Sequence, residues 1–182
     1  YIADVTVTTD LDADTGVVSY TAEAVAAQAV QARAVLRDAD GAEVASADGV
    51  RGTLQVPNAH KWAPGDGYLY DMELQLITED VIVDSYHQSV GVRTVKVDGI
   101  EFLITGVPFY FTGFGKHEDV AVIGKGHNDA YLLHDFELLK WIGANSFRTS
   151  HYPYAEDVLD YADRQWIVPI DKAAAVRQNI AL

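Results

Sequence analysis

The feature that most constrains this chain is a change of hydrophobic period near residue 91. Before it, Val5-Thr6-Val7-Thr8, Val17-Val18-Ser19-Tyr20, Val30-Gln31-Ala32-Arg33-Ala34-Val35-Leu36 and Tyr70-Asp71-Met72-Glu73-Leu74-Gln75-Leu76 run at period two, the pattern of half-buried antiparallel strands. Turn residues separate the runs at Asp12-Ala13-Asp14-Thr15-Gly16, Asp38-Ala39-Asp40-Gly41 and Pro64-Gly65-Asp66-Gly67, where Asp and Gly accept the backbone angles that strands refuse. The Ala-rich residues 22–29 are the one place where a helix is a candidate. Seven or so short strands in about 90 residues is the rhythm of an immunoglobulin-like sandwich. Trp62 and Tyr70 are expected in its core, since large aromatics carry most of the burial in such folds.

After residue 91 the pattern becomes strand, helix, strand, helix, strand. A hairpin turn at Asp98-Gly99 leads to Phe102-Leu103-Ile104, a turn at Thr105-Gly106 follows, and Pro108-Phe109-Tyr110-Phe111-Thr112-Gly113 reads as a continuous apolar strand buried on both faces. A loop with glycines at 113, 115, 124 and 126 comes next. Asn128 is the expected N-cap of a helix with Leu132, Phe136, Leu139 and Ile142 on one face and Gly143 as its stop. Residues 145–149 form a second strand, Pro153 opens a second helix reaching about Arg164, and residues 166–171 form a third strand. This is the opening of a parallel (β/α) barrel. A complete barrel of eight strands takes about 200 to 250 residues, so residues 92–182 hold at most three of them and cannot close it. The expected fold class is mainly β plus α/β: an immunoglobulin-like β-sandwich over residues 1–91, then the first units of an incomplete (β/α)8 barrel over residues 92–182.

Charge and composition remove several functions. The 182 residues include 13 Lys and Arg against 27 Asp and Glu, a formal net charge of −14, whereas nucleic acid and anionic membranes are gripped by basic clusters. No apolar run approaches the roughly 20 residues of a membrane span. With no cysteine, disulfides and thiolate metal sites are excluded. The histidines lack close ligand spacing, so no metal is expected; His60, His87, His127 and His134 are expected at the surface or as caps. The glycine-rich loop has neither a phosphate-loop nor a dinucleotide pattern, and no cofactor is expected. The chain opens on Tyr1 rather than Met and without a signal-peptide pattern, as expected of a cut or processed chain.

The stretch Asn145-Ser146-Phe147-Arg148-Thr149-Ser150-His151-Tyr152-Pro153-Tyr154 closely resembles the signature of family 2 glycoside hydrolases. Upstream, Phe109-Tyr110-Phe111-Thr112-Gly113-Phe114-Gly115-Lys116-His117-Glu118-Asp119 and Gly124-Lys125-Gly126 resemble the first barrel strand and loop of the β-glucuronidase branch of that family. In the sandwich, Trp62-Ala63-Pro64 and Leu69-Tyr70 are similar to marks of its middle domain. The likeness covers roughly residues 1–176. It implies that retaining hydrolysis uses two glutamates on later barrel strands, so the acid/base and the nucleophile are both absent from this chain. What remains is supporting machinery. The resemblance implies that Arg148 pairs with the nucleophilic glutamate and that His151 hydrogen-bonds the sugar. His117 is expected to line the same mouth, with Glu118 and Asp119 fixing its tautomer or the loop, and Asp171, the last residue of the expected third strand, is a further carboxylate near the site.

The chain departs from the family at its end. Trp166 stands where the family usually has Gly, Pro169 where it has an aliphatic residue, and Asp171-Lys172 where it has Asp-Glu; residues 177–182 are unfamiliar. A proline removes a ladder donor, which puts the third strand in question. The expected function is a segment of a retaining β-glucuronidase, with a glucuronide or related glycoside as substrate of a homo-oligomeric parent. The alternatives are a non-catalytic sandwich module for carbohydrate or protein, and a family 2 enzyme acting on galactosides or mannosides.

Overall fold

The structure, a computed structural model, describes residues 1–27 and 29–171. Lys172 and residues 177–182 lie outside the described residues. The chain divides into two compact units, Tyr1–Phe109 and Tyr110–Leu182.

In the first unit the period-two runs become β1 (Ile2–Asp12), β2 (Thr15–Ala24), β3 (Gln31–Arg37), β4 (Glu43–Asp48), β5 (Arg51–Val56), β6 (Tyr70–Thr78) and β7 (Val81–Val90). They form two antiparallel sheets, ordered β1-β2-β5 and β4-β3-β6-β7, as in an immunoglobulin-like sandwich. The core follows directly from alternation: Val18, Tyr20 and Ala22 of β2 and Tyr70, Met72 and Leu74 of β6 belong to one buried cluster. Each large apolar side chain so buried contributes about 1.5–3 kcal/mol. Trp62 is also buried, 2% exposed, with the Arg93 guanidinium 4.5 Å from its ring centroid. The helix considered for residues 22–29 does not form among the described residues. Ala22 continues the buried face of β2 opposite Val5, so strand pairing overrides the helical preference of alanine.

Three short strands complete this unit: β8 (Val95–Asp98), β9 (Glu101–Ile104) and β10 (Val107–Pro108), paired in the order β10-β9-β8. The turns between them fall at the expected Asp98-Gly99 and Thr105-Gly106.

The second unit runs β11 (Gly113–Lys116), β12 (Asp119–Val120), β13 (Gly124–Lys125), α1 (Asp129–Trp141), β14 (Ser146–Thr149), α2 (Glu156–Arg164) and β15 (Val168–Ile170). β11, β14 and β15 form a parallel sheet in that order, while β12 and β13 make a small hairpin in the glycine-rich loop. The structure corrects the expected continuous strand over residues 108–113. Pro108 turns back to stand opposite Leu103 of β9. The Asn145 side chain holds the middle of the run, accepting from the Thr112 N–H at 2.7 Å and donating to the Tyr110 carbonyl at 2.9 Å. Only from Gly113 does the chain join the parallel ladder.

The helix ends show why these residues stop where they do. Asn128 caps α1, its side chain accepting from the Tyr131 N–H. Leu132, Phe136 and Leu139 are buried as expected, but Ile142 is the C-cap and exposed. Both helices end in a Schellman motif: Ala144 N–H bonds Leu139 O and Gly143 N–H bonds Lys140 O after α1, and Ile167 N–H bonds Ala162 O and Trp166 N–H bonds Asp163 O after α2. The motif needs a left-handed residue, and Gly143 supplies it at φ 76° whereas Trp166 takes φ 52°. α2 starts at Glu156, not Pro153, because residues 152–154 remain outside any helix and Tyr154 is buried against the end of β11.

Pro169 does sit in a strand. Val168 N–H bonds Asn145 O at 2.9 Å, so by alternation along a strand the donor missing at Pro169 would face away from β14. The ladder to β14 is intact, and the loss falls on the outer edge of β15.

Candidate functional site

In a parallel barrel the chemistry gathers beyond the carboxyl ends of the strands. Each parallel strand here delivers an expected site residue at that end: His117 directly after β11, His151 two residues after β14, and Asp171 directly after β15. The first two meet. The His117 and His151 rings lie 5.5 Å apart, edge to face.

The acidic residues take different places. Asp119 Oδ2 stands 3.7 Å from His117 Nδ1, too far for a good hydrogen bond. Glu118 is half-buried, and burial first, then the Glu118 carboxylate, pushes the Tyr152 phenol above its ordinary value, although the hydroxyl has no well-formed hydrogen bond. Asp171 is drawn to the middle strand instead, accepting from Thr149 Oγ1 at 2.9 Å.

Arg148 lies within β14, exposed, in register with Gly115 and Ile170. Its neighbour Phe147 faces the other way and meets Phe136 of α1 at 5.7 Å. The helices therefore cover the Phe147 face, and Arg148 stands on the open face. Among the described residues Arg148 has no carboxylate partner. Gly115 leaves it room: a Cβ there would meet Ser150 Oγ at 2.8 Å and an Arg148 guanidinium nitrogen at 3.6 Å.

Sequence reasoning gave no role to the residues that hold this end of the sheet together. Lys116 is 9% exposed and its Nζ pairs with Asp135 of α1 at 2.9 Å; a buried ammonium needs such a partner. The same Nζ lies 5.6 Å from the centroid of the Tyr154 ring. The Tyr154 hydroxyl donates to the Lys116 carbonyl, and Lys125 rests 3.6 Å over Tyr152, fixing the β12-β13 hairpin. A lysine closing an apolar strand was the available signal, but its partner lies nineteen positions on and only the fold brings them together.

Three of the remaining four histidines are engaged locally, His60 with Asp66 at 2.7 Å, His87 with Asp71 at 3.1 Å and His127 with Asp129 at 2.8 Å, and His134 is exposed on α1. Among the described residues no three His, Asp or Glu side chains are placed to hold a metal ion, and no helix is long and apolar enough to cross a membrane. The arrangement offers imidazole, guanidinium and carboxylate groups for hydrogen bonding at one end of a parallel sheet, which suits a polyhydroxylated ligand.

Residues 1–93 match the family model described as "Glycosyl hydrolases family 2", and residues 95–182 match "Glycosyl hydrolases family 2, TIM barrel domain". Among curated relatives, a β-glucuronidase of Paenibacillus borealis is 50% identical over 177 residues, covering 97% of this chain and 30% of the relative. One from Rattus norvegicus is 47% identical over 181 residues, covering 97% of this chain and 28% of the relative. Among solved structures, the β-D-glucuronidase of Dictyoglomus thermophilum superposes with a TM-score of 0.88 at 46% identity, over 95% of this chain and 29% of that one. The Ruminococcus gnavus β-glucuronidase in complex with D-glucuronic acid gives 0.88 at 37% identity, over 94% of this chain and 30% of that one. The chain spans less than a third of the length of these relatives.

Proposed function

The chain belongs to the glycosyl hydrolases of family 2, and from that premise we propose that it is a segment of a retaining β-glucuronidase, carrying the scaffold and part of the sugar pocket. The observation that carries the reading is the meeting of His117 and His151 at the ends of consecutive parallel strands, 5.5 Å apart. In this reading His151 hydrogen-bonds the glucuronide, His117 lines the rim with Glu118 and Asp119 behind it, and Asp171 braces the end of β14 through Thr149. Arg148, on the open face, pairs with the nucleophilic glutamate of a later strand and keeps it ionised and oriented. The proton donor and nucleophile come from beyond this segment, and the two-carboxylate chemistry proceeds through a glycosyl-enzyme intermediate. The names of the relatives support glucuronides over galactosides or mannosides as substrate class. The proposal extends to a homo-oligomeric parent, which sedimentation of the full-length protein tests.

The deciding experiment assays the full-length protein and this chain side by side on 4-nitrophenyl β-D-glucuronide. Full-length turnover with retained anomeric configuration and none from the chain alone is the expected result. Preference for the matching galactoside or mannoside overturns the substrate class. Turnover by the repurified chain, abolished by His151→Ala, overturns the assignment of both carboxylates to later strands.

A further inference from the structure

The Tyr154 hydroxyl sits at a junction that the glucuronidase reading leaves unused. It donates to the carbonyl of Lys116, the residue before His117. It also lies 3.4 Å from the backbone N–H of Ser150, the residue before His151. That N–H bonds the same Lys116 carbonyl at 3.1 Å. Two lone pairs of one carbonyl thus take one donor from the β14 end and one from Tyr154, and each joined residue is one peptide away from a site histidine. The ring is fixed independently of the hydroxyl: Tyr154 is 6% exposed, near-parallel to Phe147 at 6.5 Å and 5.4 Å from Tyr152, with Lys116 Nζ above it.

We propose that Tyr154 is a positioning residue for glycoside binding and turnover, its hydroxyl tying the ends of β11 and β14 so that His117 and His151 present their rings to one sugar. The inference rests on the reading of His117 and His151 as sugar-binding residues. Its chemistry requires a phenol that stays protonated, because a phenolate would repel the Lys116 carbonyl it now donates to. Burial, above all, pushes the Tyr154 phenol up to about 12; the Ser150 N–H works against this, and Tyr152, Glu118 and Asp119 add to it.

Two variants of the full-length protein test the proposal. Tyr154→Phe keeps the packed ring and removes only the hydroxyl. It is expected to lower kcat/KM about 10- to 100-fold, the range in which displaced binding groups cost turnover, with a thermal midpoint close to the parent's. Unchanged kinetics overturn the proposal. So does a fall in thermal stability whose folded fraction still turns over normally. A ring-fluorinated tyrosine at position 154 keeps the hydroxyl but ionises at lower pH, and the alkaline limb of kcat/KM is expected to move down with it. A profile superimposable on the parent's overturns the proposal, and this variant decides the matter if the Phe variant does not fold. A full-length parent that turns over no glucuronide sinks the proposed function separately. The positioning role is then read from the imidazole NMR resonances of His117 and His151, which shift on Tyr154→Phe if the hydroxyl sets their placement and stay put if it does not.

Discussion

The two units make opposite uses of the same resource, an apolar sheet face. In the sandwich, β2 and β6 turn their alternate residues into one cluster, and Val18, Leu36, Met72 and Leu74 are completely buried. In the barrel segment, one sheet face is covered by helices through Phe136, Phe147, Val158 and Ile167, while Arg148 and Ile170 stand on the other, exposed. α1 likewise buries Leu132, Phe136 and Leu139 but leaves Trp141 82% exposed. The lesson is that a sandwich completes its core with the strands it has, whereas an open parallel segment completes only the layer its own helices cover. Exposed apolar surface favours association, and the face that stays open is the one that carries Arg148, a residue of the proposed site.

The comparison is best broken at its strongest point. Trp62→Ala empties a fully packed site beneath Arg93 and is expected to destabilise the sandwich by about 4 kcal/mol, read as a lower denaturant midpoint for the amides of β2 and β6 in hydrogen exchange. A loss below about 1 kcal/mol would mean that the sandwich core is not closed in the sense argued.

The corresponding weak point of the barrel segment is Gly113. A Cβ there would lie 1.9 Å from the Ser146 carbonyl oxygen, a backbone atom that cannot step aside. Gly113→Ala is expected to cost about 3 kcal/mol and to release the β11 and β14 amides to fast exchange. Retained protection of those amides would show that this short sheet tolerates strain that a sealed core would not.

pH separates the units by direction. In the sandwich, Glu73 is held below its ordinary value by the Gln75 side chain and by Arg37, against the effect of burial. Its contribution is therefore present above the ordinary glutamate range and lost as pH falls through the lower folded value. In the barrel segment, Tyr154 is raised from 10.0 to about 12, so its contribution is full below pH 10 and lost as pH rises toward 12. Amide exchange across a pH series is expected to show β6 loosening in acid and the β11 end loosening in alkali; the reverse order would undo the assignment.

The smallest effect sharpens the view of the chain's departures. Trp166 holds a left-handed angle that costs a non-glycine residue about 1–2 kcal/mol, at the position where α1 uses Gly143. Trp166→Gly is expected to stabilise the segment by about 1 kcal/mol after the lost packing of a ring that is 40% exposed. A destabilised variant would show that the indole is held for its contacts.

Much of this architecture was legible because it rests on local physics. Alternation marked β1, β2, β3 and β6, Asn128 and Gly143 marked the ends of α1, and the motif around Arg148 and His151 marked the family. Legibility failed where one stretch serves two partners. Residues 108–113 read as one apolar strand, yet Pro108 belongs to β9 and Thr112 to Asn145. The start of α2 slipped from Pro153 to Glu156 because the burial of Tyr154 beside Lys116 outweighs the helical preference of the residues around it.

By itself, then, the sequence determined the class of each half, the family, and which residues stand at the strand ends, since period, turn chemistry and motif are properties of neighbours along the chain. The tertiary structure alone decided that His117 and His151 meet, that Lys116 finds Asp135, and that the Tyr154 hydroxyl joins two strand ends. Those contacts depend on the register of β11 against β14, and a register is fixed by packing across the sheet, which no local pattern encodes.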